Sequence, residues 1–236
     1  MNELIYDEFS QVGVDFKDLN KVNDYDLDMA FRKTAPETQS IFQQLGLTRD
    51  STLLDVGTGT GSLSIAAAKL CKFVYAIDVS ETMLNNAQKN AQKCALKNIT
   101  FFKAGFLSYE HKGSKLDHIV SFLSLHHLPD FWKQIALLHL NSMMKMNGTF
   151  YLADQVFAFD ANDYKNKLNH WVDINRERSH NESFVNDVKT SICKEYTTYS
   201  WILETMLGNA GFHYDIIKHS EFFAHYLCHK IKEVII

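Results

Sequence analysis

Gly57, Gly59 and Gly61 stand at every second position directly after the apolar run Leu53-Leu54-Asp55-Val56, and Asp78 closes the next apolar run. Glycine permits positive φ and lets a ligand approach the backbone with no Cβ in the way. At the open end of a parallel sheet, beside a helix N-terminus, such a loop makes a cradle for a polar or anionic group. A carboxylate at Asp78 accepts hydrogen bonds from both hydroxyls of a ribose. The spacing is G-x-G-x-G, whereas loops that face a pyrophosphate read G-x-G-x-x-G. A ligand with a ribose and no pyrophosphate fits this spacing better.

His126 and His127 form the second group able to do chemistry, in Phe122-Leu123-Ser124-Leu125-His126-His127-Leu128-Pro129-Asp130. Imidazole titrates near neutral pH only where its surroundings allow, so packing and proton transfer are both open for this pair. Tyr6 and Tyr25 are further candidate bases. Tyr6, Tyr25, Phe31, His170, Trp171 and Trp201 could form an apolar lid, or could glue helices to a sheet. Asn175-Arg176-Glu177-Arg178 reads as a solvated face, with recognition of an anionic substrate as the sharper alternative. Cys71, Cys94, Cys193 and Cys228 include no C-x-x-C, so no zinc or dithiol redox site is signalled, and they read as buried free thiols.

These groups need a scaffold that brings loop ends together. From Thr52 onward, short β-branched or aromatic runs alternate with helix-length segments, the pattern of β-α-β units and a parallel sheet. The strands fall at Thr52–Val56, Phe73–Ile77, Ile99–Lys103, Leu116–Phe122 and Thr149–Val156. Helices fall at Ser62–Leu70, Glu81–Cys94 and Asp130–Met144, the second opened by Ser80 as N-cap with an acidic first turn. Residues 1–48 read as a helical lead-in or lid, 49–157 as the ligand-binding core and 158–198 as an inserted helical cap. Residues 199–236 supply a last helix and two strands, Phe212–Lys218 and Phe222–His229, whose short connection requires an antiparallel pair.

The chain has 236 residues, with 46% hydrophobic and 22% charged, which is the composition of an ordinary globular protein. Its 24 Lys+Arg against 28 Asp+Glu give a formal charge of −4, which argues against a dedicated nucleic-acid surface. No run approaches the roughly 18 apolar residues of a membrane span. The acidic start Met1-Asn2-Glu3-Leu4-Ile5-Tyr6-Asp7-Glu8 lacks a basic-then-apolar leader, so a cytoplasmic protein is expected.

Over residues 45–157 the chain resembles the class I S-adenosylmethionine-dependent methyltransferases, particularly those acting on small molecules. The resemblance extends to Leu207-Gly208-Asn209-Ala210-Gly211-Phe212. It implies a Rossmann-like, doubly wound, seven-stranded α/β sheet, mostly parallel with an antiparallel C-terminal pair. It also implies that Asp55, Gly57, Thr58, Gly59 and Gly61 run beneath the methionine half of the cofactor and that Asp78 holds the ribose. Val79 and Met83 would line the adenine, and Phe122 and Leu123 would lie beside the methionine moiety. The sequence departs from the family where an acidic residue usually meets the adenine amino group, reading Gly105-Phe106-Leu107 instead. Adenine contact is therefore expected from backbone groups at these three residues. His127 lies at the rim. The implied partner is a small-molecule methyl acceptor, with neither nucleic acid nor membrane and with the oligomeric state open. A binding module without catalysis and a nicotinamide-dependent oxidoreductase are the competing readings, the latter opposed by the glycine spacing.

Overall fold

A computed structural model of the chain describes residues 4–10, 12–16 and 35–234, so Tyr25 and Phe31 lie outside the described residues. Helix α1 (Ala35–Leu45) precedes β1 (Thr52–Val56), α2 (Ser62–Ala68), β2 (Phe73–Asp78), α3 (Glu81–Lys93) and β3 (Ile99–Lys103). Then come β4 (Leu116–Phe122), α4 (Asp130–Met143) and β5 (Met144–Phe157). Helices α5 (Tyr164–Ser179) and α6 (Glu182–Lys194), strand β6 (Thr198–Tyr199), helix α7 (Ser200–Asn209) and strands β7 (Phe212–His219) and β8 (Phe223–Lys230) complete the order.

The main sheet runs β3-β2-β1-β4-β5-β8-β7, with β6 pairing β5 to one side. Strands β1 to β5 pair in parallel, and β8 lies antiparallel to both β5 and β7. Leu53, Leu54, Val56, Ile119 and Val120 are all inaccessible, as befits strands covered by helices on both faces. One face buries Leu54, Ile77 and Phe150 under α4 and α7, while the other buries Leu53, Val74 and Val120 under α1 and α2. The strand order reverses between β1 and β4, and such a switch point opens a crevice at the carboxyl ends of the strands.

Several boundaries differ from the sequence expectation. Strand β5 starts at Met144 rather than Thr149, because Met144 already pairs with Leu116 across a register irregularity before His118. The two-residue β6 was not expected, being too short to carry a periodic signal. The cap is two helices, separated where His180 turns left-handed at φ 50 and Asn181 caps α6 through its side chain. It has its own small core, in which Trp171 stacks on Phe222 with ring centroids 4.8 Å apart. Of the four cysteines, all free, only Cys71 and Cys228 are buried; Cys94 and Cys193 are exposed, which corrects half of that expectation. They lie at or near the C-terminal ends of α3 and α6, where the chain leaves the core. Trp201 is exposed and packs on Tyr199, away from the clefts described below. No helix among the described residues is long and apolar enough to cross a membrane.

Candidate functional site

The glycine loop leaves β1 with Gly57 at φ 74, Gly59 at φ 56 and Gly61 at φ 84, all left-handed. The amides of Gly57 and Thr58 both donate to the Ile77 carbonyl at 2.9 Å, clamping the loop to the end of β2. On its other side a Cβ at Gly57 would stand 2.4 Å from Ser124 Cβ, so only glycine lets the segment after β4 come this close. Asp55 and Thr58 brace the loop from behind. The Asp55 carboxylate accepts from Thr58 Oγ1 at 2.9 Å and Ser64 Oγ at 2.5 Å, and both residues are buried. Gly61 sits at the start of α2, where a Cβ would press on Ala87 at 3.0 Å.

Asp78 closes β2 with its carboxylate turned toward the loop, accepting from the Gly59 amide at 2.8 Å and the Ser80 amide at 2.8 Å. Burial pushes its carboxyl up to about 6, and those two amides only partly offset this. Ser80 Oγ accepts from Met83 N at 3.2 Å and caps α3, as Ser80-Glu81 led one to expect.

Gly57, Gly59, Asp78, Val79 and Met83 line one cleft of about 820 Å³. Gly105, Phe106, Leu123, His127 and Tyr6 join them from the other elements. Leu107 contributes differently, because its amide donates to the Glu8 carboxylate at 3.1 Å. Phe122 turns to a second cleft of about 1140 Å³, walled by Trp171, Phe222 and Phe223, with Arg178 and Lys218 also lining it. Leu123 lines both clefts, in a left-handed conformation (φ 55) that costs a leucine roughly 1–2 kcal/mol.

The sequence reading offered Tyr6 as a base or lid residue but missed the rest of the segment that crosses the first cleft. Glu8, Ser10, Val12, Val14 and Phe16 line it. This stretch has no periodicity, so nothing local pointed to it. Ser80 Oγ donates to the Phe16 carbonyl at 2.7 Å, and the Val14 amide donates to Glu195 Oε1 at 3.1 Å. Glu195 was missed as well.

His126 is not in the first cleft; it lies buried between two carboxylates. Its Nδ1 is 2.5 Å from Asp154 Oδ1 and its Nε2 is 3.4 Å from Glu195 Oε2. Burial opposes charge on His126, but Asp154 and Glu195 outweigh it and lift the imidazole to about 9. Burial likewise opposes charge on Glu195, and His126 outweighs it, holding the carboxyl at about 2. His127 behaves in the opposite sense. Burial and then the neighbouring His126 cation lower it to about 4, leaving a neutral ring facing the cleft. Its Nδ1 stands 3.8 Å from Glu195 Oε1, too far for a hydrogen bond. Tyr6 is pushed up to about 12 by burial and by Tyr196, so its phenol keeps its proton at neutral pH and is not a base there.

Donor atoms of His126, His127 and Glu195 lie within 4.8 Å of one another. Both ring nitrogens of His126 already face carboxylates, however, and ion pairing alone accounts for the cluster.

A family model described as a methyltransferase domain matches residues 47–211. An uncharacterised methyltransferase of Bacillus cereus is 28% identical over 186 residues, covering 79% of this chain and 81% of that protein. Among solved structures, a SAM-dependent methyltransferase from Aquifex aeolicus superposes with a TM-score of 0.64 at 19% identity, over 90% of this chain and 98% of that one. The magnesium protoporphyrin IX methyltransferase of Synechocystis, with bound SAH, gives 0.60 at 20% identity over 92% and 88%.

Proposed function

The chain belongs to the family of methyltransferase domains, and from that membership we infer that it transfers a methyl group from S-adenosylmethionine to a small-molecule acceptor. One observation carries the reading: glycine-loop amides and the buried Asp78 carboxylate meet in one cleft at the carboxyl ends of β1 and β2. The donor set suits the cofactor. Each Asp78 oxygen takes one amide and keeps lone pairs for the hydroxyls of a ribose, and Met83 and Val79 offer apolar surface to a purine. Gly57 and Gly59 leave room beneath the amino-acid portion. Asp55, Thr58 and Gly61 support the loop from behind, and Gly105, Phe106 and Leu107 bound the adenine end.

When bound, S-adenosylmethionine supplies a methyl group already activated by a sulfonium. The chain has then to align an acceptor, exclude water and handle a proton. The second cleft, which shares Leu123 as a lining residue with the first, is the proposed acceptor chamber, and its aromatic walls favour a small, partly apolar molecule. A ring as weakly basic as His127 does not ionise an alcohol in the ground state. It accepts a proton as the new bond to carbon forms and the acceptor grows more acidic. Glu195, close by, then favours the imidazolium. The described residues 4–10 and 12–16, which are not helical, act as a strap, 49–157 as the cofactor core, 158–198 as the cap over the acceptor and 199–236 as the completion of the sheet. The formal charge of −4 weighs against a nucleic-acid acceptor.

Isothermal titration with S-adenosylmethionine and S-adenosylhomocysteine tests the reading. The intact protein binds both, and Gly59→Arg and Asp78→Ala lose binding. Should the intact protein bind neither, the assignment is wrong.

A further inference from the structure

Among the described residues, two carboxylates line the first cleft, those of Asp78 and Glu8. Asp78 stands beside the glycine loop, where it is bonded to Gly59. Glu8 stands at the other end, over the segment after β3. It is 9% exposed, and Ser108 N donates to its Oε1 at 2.8 Å. The Leu107 amide is shared between its two oxygens at 3.2 and 3.1 Å. Oε1 is therefore held by two amides, whereas among the described residues Oε2 has only the shared Leu107 amide. A carboxylate oxygen has two lone-pair sites, so Oε2 keeps acceptor capacity. That oxygen lies over Gly105: a Cβ there would be 2.3 Å from Glu8 Oε2 and 2.8 Å from Val79 Cγ1. Gly105, Phe106 and Leu107 themselves bring no side-chain acceptor to this end of the cleft.

An adenosine whose ribose is held at Asp78 and whose base extends past Val79 and Met83 reaches this carboxylate. The exocyclic amine of adenine presents two N–H donors and no acceptor in its plane. We propose that Glu8 is the residue that recognises that amine, so that base selection is made by the N-terminal segment and not by the strand ends. The proposal rests on the cofactor reading above. It also gives the segment a purpose, because the same stretch is pinned by Ser80 at Phe16 and by Glu195 at Val14.

The test compares S-adenosylhomocysteine with S-inosylhomocysteine, in which a carbonyl replaces the amine, by titration against the wild-type protein, Glu8→Ala and Glu8→Gln. The wild type prefers the adenosyl compound by at least about tenfold, the scale of one hydrogen bond to a charged group. In Glu8→Ala the adenosyl compound weakens by about that factor, the inosyl compound holds or improves, and the preference collapses. Glu8→Gln, which keeps the shape and loses the charge, falls between. Equal wild-type affinity for the two compounds overturns the proposal whether or not the variants fold. So does an alanine variant that binds the adenosyl compound as well or better, since Glu8 would then only fill amides that the base needs. If the wild type binds neither compound, the cofactor reading itself fails, a result distinct from either of these.

Discussion

Asp78 Oδ2 accepts the Gly59 amide at 2.8 Å, so the end of β2 is tied to the loop that leaves β1 by the same carboxylate that faces the cleft. This single contact links the stability of the crevice to its chemistry. Burying the Asp78 charge is unfavourable, as its carboxyl near 6 records, and the ligand site keeps it nonetheless.

Asp78→Asn should separate the two effects. Ribose binding loses charged hydrogen bonds worth roughly 1.5–3 kcal/mol each, so affinity for S-adenosylhomocysteine falls at least about tenfold, while relief of the buried charge is offset by the loss of one of the two amide bonds, since an Asn offers a single acceptor oxygen to Gly59 and Ser80. For the wild type, a carboxyl raised from 3.8 to about 6 contributes stability below pH 3.8 that is lost as pH rises through 6. Cofactor affinity moves the other way, rising through the same interval. Titrations between pH 4.5 and 7.5 with denaturant melts on both proteins check the pair of trends; parallel trends would show that Asp78 does not hold the ligand.

Gly57→Ala adds a Cβ 2.4 Å from Ser124 Cβ at a φ of 74. Strain and overlap together should cost on the order of 2–4 kcal/mol. Trimming the neighbour should restore part of this, so Gly57→Ala with Ser124→Gly melts above Gly57→Ala alone. Equal melting of the single and double variants would place the strain elsewhere.

His126→Leu leaves Asp154 and Glu195 buried without their shared cation, a loss of about 3–5 kcal/mol. In the wild type, His126, raised to about 9, contributes stability that is complete below 6.5 and lost as pH climbs through 9. Glu195, lowered to about 2, contributes stability that is complete above 4.5 and lost as pH falls toward 2. The stability gap between wild type and His126→Leu should therefore be widest between pH 4.5 and 6.5. A gap independent of pH would leave the network with a packing role alone.

His127→Ala should lower kcat by about 10²-fold for an acceptor that must shed a proton, with little change for a thiolate. The wild-type kcat, at saturating cofactor, should show an acid limb near pH 4, where His127 gains its proton. Equal losses for both acceptor classes would mark His127 as a packing residue.

The order of the five parallel strands and the three helices between them, the glycine loop and the position of Asp78 were determined by the sequence by itself. Each is a local signal: apolar runs of strand length, glycines that only a turn of positive φ requires, and an acid at a strand end. The strand pair near the C-terminus was legible for the same reason, because a short connection forces antiparallel pairing. The meeting of Glu8 with the Leu107 and Ser108 amides, 99 and 100 residues away, was decided only by tertiary structure. So was that of Val14 with Glu195, across 181 residues. Neither meeting leaves a periodic trace, since one carboxylate docking on two amides needs no pattern in its own neighbourhood. The different protonation of His126 and His127 was equally hidden, for adjacent residues acquire opposite shifts only once Asp154 and Glu195 have folded against one of them.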